Sequence, residues 1–136
     1  MDVRDRVVVV TGGASGIGRA LCRAFARAGA SAIVVADIDE SGAQAVADEF
    51  GDRGRAVTID VGSEPDIVRL VSSTEEEFGR IDLFCSNAGI IVPGGVEVPD
   101  AAWDRIWHIN VFSHIYAARA VLPGMLARGE GYLLHT

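Results

Sequence analysis

Apolar and polar positions along this chain follow two rhythms that take turns. Short runs of mostly apolar residues cover 6–11, 32–36, 55–60, 81–85 and 132–136. The first, second and fourth are near-continuous and rich in β-branched side chains, the pattern of strands buried on both faces. Between them lie amphipathic stretches. Ile17, Leu21, Ala24, Phe25 and Ala28 share one face of a helix over 17–28, and Gly29 stands where a C-cap glycine belongs. Further helices are predicted over 41–50, closed by Gly51, and over 64–78, with Pro65 in the first turn and Gly79 at the end. A long helix is predicted from 101 to about 127, with Pro123 as a possible kink. Five strands alternating with four helices predict an α/β fold with a parallel sheet and right-handed crossovers. No internal repeat, linker or low-complexity tract divides residues 1–136, so they read as one domain or part of one.

The first strand runs directly into Thr11-Gly12-Gly13-Ala14-Ser15-Gly16-Ile17-Gly18. Strand, glycine turn and helix is the geometry that seats a dinucleotide diphosphate on a helix N-terminus. Gly12 permits the tight turn, Gly16 lets backbone come close to phosphate, and Gly18 lets helix and strand pack closely. The amides of Ser15, Gly16, Ile17 and Gly18 are the expected phosphate donors. Asp37 follows Gly18 by 19 residues, at the end of the second strand. A carboxylate there can accept from the adenosine ribose hydroxyls. It also favours NAD over NADP. A 2′-phosphate about 4 Å away meets a repulsion of ~4 kcal/mol per charge pair at an effective dielectric of 20. Neither Ser15 nor Ile38 offers a compensating cation.

Composition narrows the classes. The chain is 49% hydrophobic and 23% charged, so it has material for a core. Its net charge of −7 argues against nucleic acid or an anionic membrane as partner. No apolar stretch approaches the roughly 20 residues of a membrane span, and charges at Asp2, Arg4, Asp5 and Arg6 interrupt any leader-like segment. Cys22 and Cys85 lack metal-type spacing and read as small buried hydrophobes in a reducing, cytoplasmic setting.

With the glycine loop and Asp37 in hand, three further motifs fall in order. Asp60-Val61 follows the third strand, Ser86-Asn87-Ala88-Gly89 the fourth, and Asn110 lies in Trp107-His108-Ile109-Asn110-Val111. Together they resemble the short-chain dehydrogenase/reductase family over the whole chain. The loop matches its T-G-x-x-x-G-x-G pattern, and Ser86 departs from its N-N-A-G motif at the first position. The resemblance implies a Rossmann-type doubly wound sheet with strands in the order 3-2-1-4-5. It makes Asp60 and Val61 adenine contacts. Asn87, Ala88 and Gly89 become a brace of the sheet bordering the cofactor ribose, and Asn110 a member of an Asn-Ser-Tyr-Lys tetrad. It further implies hydride transfer between NAD(H) and a secondary alcohol or ketone, in a homodimer or homotetramer. Asn110 shares the spacing of Trp103, Trp107 and His114, which places all four on one face of the long helix. His108, His114 and His135 have no evident catalytic partner and read as structural or surface residues.

The family's chemistry pairs a tyrosine with a lysine four positions later. This chain contains no lysine; Tyr116 is followed at that spacing by Ala120, and Tyr132 by Thr136. The expectation is a partial record of a longer enzyme, with the serine, tyrosine and lysine beyond Thr136. The 136 residues alone are then inactive and poorly soluble, because an apolar edge strand stays uncovered. A serine followed by Tyr-x-x-x-Lys would separate this enzyme from the alternative, a non-catalytic dinucleotide-binding module or a degenerate relative. The apolar loop Ile90-Ile91-Val92-Pro93-Gly94-Gly95-Val96 weakly suggests a hydrophobic substrate.

Overall fold

The computed structural model describes residues 2–136. Strands β1 (Val7–Thr11), β2 (Ala32–Asp37), β3 (Gly54–Thr58), β4 (Leu83–Ser86) and β5 (Tyr132–His135) form one parallel sheet in the order β3-β2-β1-β4-β5. This is the predicted order. Helices α1 (Gly16–Arg27), α2 (Glu40–Asp48) and α3 (Glu64–Phe78) make the first three crossovers. The fourth consists of α4 (Asp100–Trp107), a π-helical turn (His108–Phe112) and α5 (Ser113–Arg128). A short 3-10 turn (Gly51–Arg53) precedes β3.

The sheet separates two apolar layers, as its alternating side chains require. Val9, Val34 and Phe84 pack with α3, through Ile67, and with α5 on one side. Val8, Val10, Ile33, Val35 and Cys85 pack with α1 and α2 on the other. β1 is buried along its whole length because it is central and covered on both faces. Gly29 and Gly79 adopt φ of 90° and 78° at helix ends, the left-handed conformation that favours glycine. At the amino end of the sheet, Asp82 is fully buried. It accepts from the Val7 amide at 2.9 Å and pairs with Arg6 and Arg80, so its charge is compensated.

Two predictions for the helices need correction. The long helix is interrupted at His108–Phe112, whereas α5 runs on through Pro123. The extra residue of a π turn rotates everything beyond it by about 100° relative to an uninterrupted α-helix. Trp103 and Trp107, before the turn, are 43% and 53% exposed, while Asn110, within it, faces the loop after β4. On α1, Ile17 is exposed at the helix mouth instead of facing the core, and Gly18 and Cys22 make the buried contact.

Candidate functional site

The chain direction across the sheet reverses between β1 and β4. From β1 the crossovers run outward to β2 and β3, then return to β4 on the other side. The loops leaving the carboxyl ends of β1 and β4 therefore diverge and leave a crevice, the place where open α/β sheets bind ligands. A cavity of about 510 Å³ lies there.

The glycine loop forms its floor. Gly12, Ser15, Gly16 and Ile17 line it. Gly12 has φ of 67°, and a Cβ on it would come within 2.9 Å of the Ala88 backbone. Gly16 has φ of 50° and nothing within 4 Å of the Cβ position, so its backbone faces open space. Ser15 is the N-cap of α1 in extended conformation and makes no side-chain capping bond. No acidic residue occupies the first turn. The amides opening a helix have no intrahelical acceptor, and the macrodipole adds positive potential. An uncapped, acid-free helix start facing an open crevice is chemically suited to a diphosphate. Gly18 does not line the cavity. It is buried, and a Cβ there would collide with the Gly12 carbonyl oxygen. Its hydrogen is what allows α1 to sit against the loop.

Asp37 and Ile38 form the next wall. The Asp37 carboxylate accepts from the Ala14 amide at 2.9 Å and from the Asp39 amide at 3.1 Å. One donor engages each oxygen, so acceptor capacity remains on both. The same bonds tie the end of β2 to the glycine loop. After β3 come Ile59, Asp60 and Val61, all lining the cavity. Asp60 accepts from the Gly62 amide at 2.8 Å, which holds this turn closed.

The end of β4 contributes Asn87, Ala88, Gly89 and Ile90. Asn87 is a brace. Its Nδ2 donates to the Thr11 carbonyl at 3.0 Å. Thr11 Oγ1 in turn accepts from the Asn87 and Ala88 amides at 3.0 and 3.2 Å and donates to the Cys85 carbonyl at 3.3 Å. One buried hydroxyl thereby locks the ends of β1 and β4 together. Ser86, where the family motif has asparagine, keeps a buried hydroxyl without a partner among the described residues.

Asn110 lies outside the cavity lining. Its Oδ1 accepts from the Ile90 amide and its Nδ2 donates to the Ile90 carbonyl, both at 2.8 Å. It grips the loop that carries Gly89 and Ile90. The π turn presents it there, and such turns recur at functional sites. One turn on, His114 and His135 bring their Nδ1 atoms to 3.1 Å with rings edge to face. Partial burial, and then the neighbouring His135, hold the His114 pKa below its usual value. Burial pushes the Cys22 and Cys85 thiols up to about 12, so both are unreactive hydrophobes as predicted.

Ten of the eleven residues predicted to bind the cofactor line one cavity, and the eleventh, Gly18, packs directly beneath it. Sequence reasoning missed the bonding role of Thr11, the apolar wall of Ile59, Ile90 and Ile109, and Arg105. Arg105 precedes Ile109 by one helical turn, a spacing that would have placed both on the same face.

Comparison with known proteins agrees with this fold. The family model described as short chain dehydrogenase matches residues 6–136. The chain belongs to the short-chain dehydrogenase family. It is 41% identical over 144 aligned positions to 1-deoxy-11-beta-hydroxypentalenate dehydrogenase of Streptomyces exfoliatus, covering 100% of this chain and 52% of that relative. It is 35% identical over 132 positions to 3beta-hydroxysteroid dehydrogenase 2 of Eggerthella lenta, covering 93% and 50%. A crystal structure of hydroxysteroid dehydrogenase from Escherichia coli superimposes with a TM-score of 0.90 at 32% identity, covering 98% of this chain and 55% of that one. The chain spans about half the length of the curated relatives it matches. The short-chain dehydrogenase relatives are oxidoreductases by name, and the family implies a nicotinamide dinucleotide cofactor.

Proposed function

We propose that residues 1–136 are the NAD-binding portion of an oxidoreductase that interconverts a secondary alcohol and a ketone. The observation that carries this is the Asp37 carboxylate, fixed by the Ala14 amide at the rim of a crevice floored by the start of α1. The α1 amides would hold the diphosphate, Asp37 the adenosine ribose hydroxyls, Asp60 and Val61 the adenine, and Asn87 through Gly89 the second ribose. When bound, the nicotinamide supplies or takes up hydride at its C4. Asp37 supports NAD over NADP, since its charge would face a 2′-phosphate at short range.

Asn110 is the tetrad member this chain carries, and its grip on Ile90 keeps the loop beside the cofactor in register. Without a lysine the chain alone has no Tyr-x-x-x-Lys pair, so the 136 residues by themselves are expected to turn over nothing. The loop bearing Ile91 and Val96, 88% and 95% exposed, suits a hydrophobic substrate. The exposed Trp103, Trp107, Phe112, Ile115 and Leu122 along α4 to α5 support association into a homodimer or homotetramer. Two unpaired, buried thiols favour a cytoplasmic location. Among the described residues, no helix is long and apolar enough to cross a membrane.

The test is NADH formation by the full-length protein containing this chain, across a panel of hydrophobic secondary alcohols. The reading predicts turnover with NAD and at least one alcohol. Tight NAD binding with no turnover on any alcohol or ketone would favour a non-catalytic module.

A further inference from the structure

Arg105 is the cavity's arginine, and it belongs to neither the glycine loop nor any matched motif. Seven other arginines, at 6, 23, 55, 69, 80, 119 and 128, are ion-paired with carboxylates. The Arg105 side chain makes no hydrogen bond or ion pair among the described residues and is exposed. An unpaired guanidinium at the edge of a crevice retains all its donors and its flat, weakly hydrated face.

Its position selects what it can meet. Ile109, one turn later on the same helical face, also lines the cavity. The Ile109 side chain lies 3.6 Å from the Cβ position of Gly62, so this face of the helix abuts the turn after β3. Arg105 therefore shares a wall with Asp60, Val61 and Ile109, away from the helix start that suits phosphate. That wall is an apolar slot with one acidic edge and one cation, complementary to a flat heteroaromatic base.

We infer that Arg105 stacks its guanidinium against the adenine base of the dinucleotide and sets affinity for the adenosine half of the cofactor. The inference rests on the proposed cofactor site and adds to it a residue outside the motifs. Flat guanidinium groups stack on aromatic faces and add a cation–π attraction. Because Arg105 is exposed and its side chain makes no hydrogen bond or ion pair among the described residues, Arg105→Ala is expected to leave the fold intact, which its melting temperature checks.

The experiment measures binding of NAD, ADP-ribose, adenosine and nicotinamide mononucleotide to the full-length protein and to Arg105→Ala, by ligand-observed NMR. Stacking predicts that NAD, ADP-ribose and adenosine all weaken by about 3- to 10-fold, the worth of such a contact at a partly exposed site. Nicotinamide mononucleotide should be unaffected. A loss confined to the phosphorylated adenosine ligands would mean diphosphate pairing and overturn the inference, as would equal affinities in both proteins. If the unsubstituted protein takes up no NAD, the cofactor site itself is wrong and this inference falls with it.

Discussion

Asp37 carries two burdens at once. Its carboxylate organises the glycine loop through the Ala14 amide and presents the remaining acceptor positions to the crevice. Asp37→Asn separates them, because the amide oxygen can still accept from Ala14 while the charge is gone. Hydrogen bonds to a charged group are worth about 1.5–3 kcal/mol, so NAD affinity should fall by roughly 10- to 100-fold. Affinity for NADP should hold or rise as the repulsion disappears. Titration of both dinucleotides against the variant checks this, and an unchanged NAD to NADP ratio would remove the discriminating role. Gly12 and Gly18 act by what they lack. The carbonyl of Gly12 occupies the space a Gly18 side chain would need, so the loop and α1 reach their separation only with hydrogen at that position.

Among the elements, the interrupted fourth crossover does the most to shape the site. A helix of even pitch would keep Asn110 in line with Trp103 and Trp107; the π turn releases it to face Ile90. Asn110→Ala leaves the Ile90 amide and carbonyl without partners in a partly buried setting, at a cost of about 1–2 kcal/mol. We expect a lower urea midpoint with an unchanged m-value, and an identical midpoint would show that the two bonds contribute nothing. The strands and the first three helices were legible because apolar runs and a 3.6-residue period report burial directly. The cavity lining was legible because glycine and acid placements follow from the close approach of backbone to ligand. The π turn was not, since no glycine or proline marks it, and Pro123, the one visible breaker, sits within a continuous helix. Thr11 was equally silent. A threonine ending a β-branched run looks like another strand residue, and only the approach of β4 turns its hydroxyl into the junction of three bonds, to the Asn87 and Ala88 amides and the Cys85 carbonyl.

For the molecule as a whole, topology places the chemistry. Parallel pairing with a reversal between β1 and β4 opens a crevice at the carboxyl edge, and five separate stretches of sequence converge on it. The charge cluster of buried Asp82 with the partly exposed Arg6 and Arg80 secures the opposite edge, away from the cavity. Family membership follows from residues 6–136; the chain spans about half the length of its relatives, so the longer enzyme proposed above is the proper subject of any assay. The most direct measurement is calorimetric titration of that protein with NAD and, separately, NADP. The account predicts one NAD site per chain, with NADP bound at least about tenfold more weakly, the equivalent of ~1.4 kcal/mol of charge repulsion. No heat of NAD binding at millimolar ligand, or NADP bound as tightly as NAD, would contradict it.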